Sequence, residues 1–321
     1  MHTVRLGTGK PLVLVHGLGG SWRSWTPVLD LLAARREVIA VDLPGFGATP
    51  KLTAGTSIAT LADALTAFLA ANGLTGVDVV GSSMGARLVL ELARRNVVGA
   101  VVSLDPGGFW RGWERRFFGA TIAASIRLVR LLQPVMPLIT SNPVGRTLLF
   151  AQLSARPWNL SPSVTLDEMH SYAASPVFDE LLHDLVHGPP QQGAAPGTVR
   201  WPIVIGWGRH DRVCLPRQAH RALALFPDAR LHWFDACGHF PQWDVPREAA
   251  ELILQSTGCE HAAAPGPATF SDHRCRSSAA IVEGFGERGA ARPETSPRDV
   301  RDSLTPVAQS LMLLRTIYRR T

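Results

Sequence analysis

Two adjacent serines, Ser82 and Ser83, separate an apolar run from a helix-forming stretch in the segment VDVVGSSMGARLVLELARR, residues 77–95. The pattern G-x-S-x-G fits when it is centred on Ser83, with Gly81 two positions before it and Gly85 two positions after it. Glycines at these positions let a strand turn sharply into a helix and hold the central serine on a strained turn. The pattern therefore indicates Ser83 as a nucleophile and Ser82 as a turn residue.

A serine nucleophile needs a general base, and the base needs an acid that orients it. His239 lies in CGHFPQWDVP, between the last predicted strand and the last predicted helix of the core, and Asp211 lies in IGWGRHDRVCLP, after the preceding strand. Both loops follow strands that run parallel to the one before Ser83, so all three residues reach the same edge of the sheet. This order predicts a triad in which His239 takes the serine proton and Asp211 holds the imidazole.

The elements that position these residues alternate regularly up to about residue 256. Short runs rich in β-branched residues are separated by stretches whose apolar residues recur at helical spacing, as in SIATLADALTAFLAAN, residues 57–72. This alternation predicts an α/β fold with a mostly parallel sheet and helices on both faces. The predicted strands are 11–15, 37–42, 77–81, 99–105, 202–206 and 229–234.

The alternation is interrupted once and ends before the end of the chain. Residues 106–197 contain helical patterns and no clear strand, which predicts a helical lid inserted into a core formed by residues 1–105 and 198–256. Residues 257–321 are rich in Ala, Gly, Pro, Ser and Arg, and we expect a mostly disordered, low-complexity tail. Within that tail, residues 303–320 could form a short basic amphipathic helix.

Composition excludes several classes of function. With 321 residues and 46% hydrophobic residues the chain can bury a full core, and no apolar run is long enough for a transmembrane segment. The net charge is +6, but the arginines are scattered, so we expect no nucleic-acid partner. The four cysteines lack a CxxC spacing, which argues against a zinc site and fits a reducing, cytoplasmic location. The oligomeric state remains open.

Taken together, these motifs resemble the α/β-hydrolase family, in its lid-bearing branch of esterases, carbon-carbon bond hydrolases and haloperoxidase-like enzymes. The shared features, over residues 3 to about 255, are GSSMG, VHG, DLPGFG, WGRHD and GHFPQWDVP. The resemblance implies an oxyanion hole formed by the backbone N–H groups of Leu18 and Met84. It also implies acyl transfer without a cofactor, because relatives that form alkyl-enzymes carry aspartate at the position of Ser83.

We therefore expect a serine hydrolase that cleaves a carboxylic ester or related acyl substrate through an acyl-enzyme on Ser83. Aromatic residues near the predicted lid and catalytic loops favour a small apolar or aromatic acyl group. Two alternatives remain: a carbon-carbon bond hydrolase of a vinylogous diketone, and a slow-turnover ligand-sensing protein of the same fold.

Four further features have competing interpretations. Asp105 is a rival for the triad acid, because some relatives place the acid after the corresponding strand. His183 and His187 have the spacing of a zinc motif, but no third ligand is obvious, so we expect no metal. His16 is more consistent with a structural role in its loop than with a second base. Only 15 residues precede His16, and the sequence leaves open whether an N-terminal edge strand is missing.

Overall fold

The computed structural model describes residues 1–258, so the predicted tail and its helix over 303–320 lie outside the described residues. In the described part of the chain, seven strands form one sheet. They are β1 (Thr3–Leu6), β2 (Pro11–Val15), β3 (Glu37–Val41), β4 (Asp78–Ser82), β5 (Val101–Leu104), β6 (Ile203–Gly208) and β7 (Arg230–Phe234). The predicted α/β class is confirmed, with strand ends shifted by at most a few residues.

The sheet has the order β1-β3-β2-β4-β5-β6-β7. Strand β1 runs antiparallel to β3, with Thr3 opposite Val41, and all other neighbours are parallel. The chain passes from β2 to β3 on one side and then returns to β4 on the other side. The loops after β2 and β4 therefore diverge at the point where parallel sheets open a crevice for ligands.

Helices cover both faces of this sheet. Within residues 1–258 they are α1 (Thr26–Ala33), α2 (Ile58–Ala71), α3 (Met84–Arg94), α4 (Trp113–Leu131), α5 (Met136–Ser141), α6 (Pro143–Phe150), α7 (Pro162–Ala174), α8 (Phe178–His187), α9 (Ala219–Leu225), α10 (Pro241–Asp244) and α11 (Pro246–Ser256). None of these helices alone is long and apolar enough to cross a membrane. One bent pair, α4 with the following Gln133–Ser141, passes that test together across a 63° bend.

The core follows from the alternation of side chains along each strand. Val13 and Val15 belong to the cluster that includes the buried residues of α2 and α3, whereas Leu12 and Leu14 belong to the cluster on the other face, with α1 and α11. Successive residues of a strand point to opposite faces, so an all-apolar strand is buried only when helices cover both.

Helices α4 to α8, residues 113–187, fill the interval between β5 and β6 and are called the helical insertion below. Its buried residues, among them Met136 and Phe150, cluster with Phe240 and Trp243 from the segment after β7. The insertion therefore packs directly on the part of the chain that carries His239. Its function as a lid and the limits 106–197 remain predictions.

Candidate active site

The turn between β4 and α3 places Ser83 in a backbone conformation that residues other than glycine rarely adopt, with φ 57° and ψ −113°. A Cβ atom at Gly81 would overlap the backbone of Gly85, and one at Gly85 would overlap the carbonyl groups of Val15 and His16. Both glycines of the motif are thus required by close backbone packing.

Ser83, His239 and Asp211 form one hydrogen-bonded chain. The distance from Ser83 Oγ to His239 Nε2 is 2.8 Å, and His239 Nδ1 lies 2.8 Å from Asp211 Oδ2. The second oxygen of Asp211 accepts hydrogen bonds from the backbone N–H groups of Val213, at 2.7 Å, and Cys214, at 3.0 Å. Because Asp211 can only accept when ionised, it fixes the tautomer with the proton on Nδ1 and leaves Nε2 free to accept the serine proton.

The two serines of the motif have different surroundings. Ser82 ends β4, is buried, and its Oγ accepts a hydrogen bond of 3.0 Å from the side-chain amide of Gln242. Of the two serines, Ser83 is the one whose hydroxyl lies within hydrogen-bond distance of His239 Nε2. The geometry therefore separates a serine that can lose its proton to a base from one that cannot.

The loop after β2 approaches Ser83 closely enough to supply an anion-binding group. A Cβ atom at Gly17 would lie 3.1 Å from the Cβ of Ser83 and 3.7 Å from its Oγ. Leu18 and Met84 line the same cavity as Ser83. Met84 is the first residue of α3, so its N–H has no carbonyl partner inside that helix. These backbone groups and the helix N-terminus can stabilise negative charge beside Ser83.

Asp105, the rival acid, follows β5 and lies beside Asp211 rather than beside the imidazole. Its Oδ1 accepts a hydrogen bond of 2.8 Å from the N–H of Gly208, whereas the side chain that accepts from His239 Nδ1 in the described chain is Asp211. Burial, the charge of Asp211 and a hydrogen bond to Asp211 raise the pKa of Asp105 well above its usual value. A protonated Asp105 can donate to Asp211, which makes it a neighbour of the triad and not its acid.

His16 uses both ring nitrogens within the protein. Its Nδ1 lies 2.8 Å from the carbonyl oxygen of Gly17, and its Nε2 lies 3.1 Å from the backbone nitrogen of Leu43. The N–H of Leu43 must donate to Nε2, so the ring proton sits on Nδ1. Burial lowers the pKa of His16, which favours this neutral form. The geometry supports a structural role in the loop that approaches Ser83.

Two groups of residues bring potential metal ligands near one another. His183 and His187 are exposed and stack on each other with ring centroids 4.3 Å apart. Asp211, Cys214 and His239 bring potential ligand atoms within 4.8 Å of one another. In that group the carboxylate and the imidazole already bind each other, and burial raises the pKa of the Cys214 thiol well above its usual value. A thiol held in its protonated form is a poor metal ligand.

Asp244 is a structural residue of the site that sequence reasoning missed. Its carboxylate accepts hydrogen bonds from the backbone N–H of Gly238, at 2.7 Å, from that of Ala155, at 2.8 Å, and from the Ser154 hydroxyl. The N–H of His239 in turn donates to the carbonyl of Leu153 at 2.8 Å. These bonds join the histidine loop to the helical insertion. Asp244 lies within GHFPQWDVP, but its partners Ser154 and Ala155 lie about 90 residues away, so the sequence did not show what it binds.

Helix α7 of the insertion holds the loop after β2, a second contact that the sequence did not reveal. The Ser171 hydroxyl donates to the carbonyl of Gly19 at 2.8 Å. Glu168 is buried, and both of its carboxyl oxygens lie close to the Ser24 hydroxyl, at 2.8 and 2.9 Å. Burial raises the pKa of Glu168 to about 8. The insertion thereby fixes the position of the segment that contains Leu18.

A cavity opens above Ser83 between the sheet edge and the insertion. The cavity volume is about 50 Å³, compared with the roughly 10–15 Å³ that one water molecule needs. Its wall contains no Asp, Glu, Lys or Arg. It is formed by Leu18, Ser83, Met84, Gly107, Trp110, Phe118, Ile122, Leu153, Tyr172, Phe178, Leu185, Val213, Cys214, His239 and Phe240.

This fold and this site define an α/β hydrolase. The family model for the alpha/beta hydrolase fold matches residues 10–246, and the chain belongs to that family. The chain is 28% identical over 255 residues to an uncharacterized protein of Mycobacterium tuberculosis, covering 77% of this chain and 75% of that protein. It is likewise 28% identical over 266 residues to a 2-hydroxy-6-oxononadienedioate/2-hydroxy-6-oxononatrienedioate hydrolase of Pseudomonas putida, covering 79% and 90%. A thermophilic esterase from Thermogutta terrifontis superposes with a TM-score of 0.62 at 19% identity, covering 79% and 91% of the two chains.

Proposed function

We propose that this protein is a serine hydrolase that cleaves a carboxylic ester or a related acyl compound through an acyl-enzyme on Ser83. The observation that carries the proposal is the hydrogen-bonded chain from Ser83 through His239 to Asp211, with both distances at 2.8 Å. Nucleophile, base and orienting acid in this order are the arrangement needed for acyl transfer.

In the proposed mechanism the Ser83 hydroxyl gives its proton to Nε2 of His239 while Oγ attacks the substrate carbonyl carbon. Asp211 stabilises the imidazolium, and the N–H groups of Leu18 and Met84 bind the oxyanion. When the tetrahedral intermediate collapses, the imidazolium protonates the leaving alcohol. His239 then takes a proton from water, which attacks the acyl-enzyme carbonyl. When the second tetrahedral intermediate collapses, the bond from the acyl carbon to Oγ breaks, the imidazolium returns the proton to Ser83 Oγ, and the acid is released.

The cavity wall supports a neutral apolar or aromatic acyl group as the substrate. Its aromatic residues offer apolar area and ring contacts, and none of its fifteen residues carries a charge that would pair with a carboxylate. The helical insertion contributes Phe118, Tyr172 and Leu185 to this wall, so we propose that it acts as the lid.

Carbon-carbon bond hydrolysis of a vinylogous diketone is a second candidate. It is favoured by the similarity to the Pseudomonas putida hydrolase, whose name describes such a compound. That named compound is a dicarboxylate, however, and the uncharged wall of the cavity here offers no partner for a second carboxylate. A ligand sensor with the same triad would bind acyl compounds but turn them over negligibly.

Fluorophosphonate labelling followed by peptide mapping tests the nucleophile. We expect the label on Ser83, no label after Ser83→Ala, and strongly slowed labelling after His239→Ala. Ser82→Ala is the matched control, since it removes the adjacent hydroxyl and should leave labelling intact. A label elsewhere, or labelling that survives Ser83→Ala, refutes the acyl-enzyme.

Turnover on p-nitrophenyl esters of increasing acyl length, compared with turnover of a vinylogous diketone, tests the reaction. We expect ester hydrolysis to dominate and to fall when the acyl group carries a terminal carboxylate. Faster turnover of the diketone would select the second candidate. Tight binding of the esters and the diketone, with negligible turnover of either, would favour the ligand-sensing protein.

A further inference from the structure

The outward side of the helical insertion carries large apolar side chains that no described part of the chain covers. Leu131 is 75% exposed, Leu138 72% and Leu148 78%. With Val135, Val144 and Trp158 these leucines are called the apolar face below. Isolated exposed leucines are ordinary on protein surfaces, but a group on neighbouring elements marks an interaction site.

The elements that form the apolar face are packed on one another. Helix α5 contacts α6, and α6 contacts the short 3-10 helix that contains Trp158. The same elements are apolar on their inner side too, where Val129, Met136 and Phe150 are buried in one cluster. A helix that is apolar on its inner and outer sides needs a second apolar environment besides its own core.

The segment that carries the apolar face contains basic residues and no acidic ones, although its Arg130 pairs with Asp179 from α8. Residues 115–166 contain six arginines and no aspartate or glutamate. Arg127 and Arg156 are exposed and form no ion pair among residues 1–258, and Arg127 stands one helical turn from Leu131. A water-facing helical surface normally mixes both charges. Apolar side chains beside two exposed arginines without an ion pair in residues 1–258 fit an interface that is apolar inside and negatively charged at its edge.

We propose that the apolar face is a docking surface for a bilayer of anionic lipid, on which the insertion lies without crossing it. The leucines enter the boundary between head groups and acyl chains, and Arg127 and Arg156 contact lipid phosphates. A second copy of this chain fits less well, because a self-complementary interface needs carboxylates to pair with Arg127 and Arg156, and residues 115–166 contain none. The proposal does not depend on the proposed ester hydrolysis.

Sedimentation of the full chain with lipid vesicles tests this surface. We expect binding to vesicles of phosphatidylcholine mixed with phosphatidylglycerol, and much weaker binding to phosphatidylcholine alone. The triple variant Leu131→Gln/Leu138→Gln/Leu148→Gln should weaken binding by roughly tenfold or more. Arg127→Gln/Arg156→Gln should weaken binding to the anionic vesicles only.

The matched control is Leu6→Gln/Leu225→Gln, which changes leucines 37% and 38% exposed outside the insertion and should bind like the wild type. Circular dichroism melts confirm that each variant is folded. No binding by the wild type, equal binding to both vesicle types, or an unchanged triple variant would overturn the proposal. A wild type that is dimeric in solution and becomes monomeric in the triple variant would assign the face to self-association instead.

Discussion

Replacing Glu168 with glutamine should stabilise the protein at alkaline pH and change its stability little in acid. Glu168 lies on α7, is buried, and has both carboxyl oxygens within 2.9 Å of the Ser24 hydroxyl. The two oxygens of an ionised carboxylate would share the single proton of the Ser24 hydroxyl, whereas a protonated carboxyl group can accept from Ser24 with one oxygen and donate to its Oγ with the other. Glutamine retains one acceptor and one donor at the same place.

The magnitude follows from the pKa of Glu168, which burial raises from 4.5 to about 8. Each difference of one in pKa corresponds to about 1.4 kcal/mol, so ionisation costs the folded state up to roughly 5 kcal/mol. The pKa of Glu168 is higher in the folded protein than in the unfolded chain. The stabilisation by the protonated carboxyl group is therefore fully present below pH 4.5 and is lost as the pH rises to about 8. Relaxation around the charge reduces the loss, and we expect a gain of about 2–5 kcal/mol for Glu168→Gln at pH 9.

Urea unfolding between pH 4 and pH 9 measures this effect. The free energies of unfolding of wild type and Glu168→Gln should differ by a constant amount below pH 4.5 and diverge progressively as the pH rises to about 8. Asp167→Asn is the control, because this neighbouring side chain is 52% exposed and should give a profile parallel to that of the wild type. Parallel profiles for Glu168→Gln and wild type would refute a protonated, buried Glu168.

Three further substitutions test the candidate site and its support. Asp211→Asn should lower kcat by roughly 10⁴-fold. The kcat of Asp105→Asn should stay within a few fold of wild type, because asparagine can accept from Gly208 and donate to Asp211 as the protonated acid does. Steady-state ester hydrolysis measures both values, and a larger loss of kcat in Asp105→Asn than in Asp211→Asn would make Asp105 the acid. Ser171→Ala should lower kcat up to roughly tenfold with little change in KM, since the Gly19 carbonyl loses its hydrogen bond from the Ser171 hydroxyl. Ser163 is exposed on the same helix, so Ser163→Ala should leave kcat unchanged. Glu114→Gln should cost about 2 kcal/mol in urea unfolding at pH 7, because this carboxylate pairs with Arg217 and Arg221. The pKa of Glu114 is lowered to about 2, so the stability that its ion pairs contribute is present above pH 4.5 and is lost as the pH falls towards 2. A difference in unfolding free energy between wild type and Glu114→Gln that persists at pH 2 would contradict the pairing.

Much of the fold could be predicted because its determinants are local. The inner parallel strands are covered on both faces and are therefore mostly apolar, as PLVLV shows. The turn at Ser83 could be predicted because the backbone leaves no space for a Cβ atom at Gly81 or Gly85, which restricts those positions to glycine. His239 and Asp211 follow from the topology, since parallel strands place their following loops at one edge.

What the sequence by itself determined is thus the sheet, the turn and the set of groups that reach its edge, because periodicity and backbone sterics act over a few residues. Only the tertiary structure decided which carboxylate meets the imidazole: Asp105 and Asp211 both follow strands of that edge, and the N–H groups of Val213 and Cys214 aim the second one. It also decided that Glu168 is buried while its neighbour Asp167 is exposed, a distinction no local pattern contains. Side-chain direction and burial depend on packing between distant segments, and here those segments belong to the helical insertion.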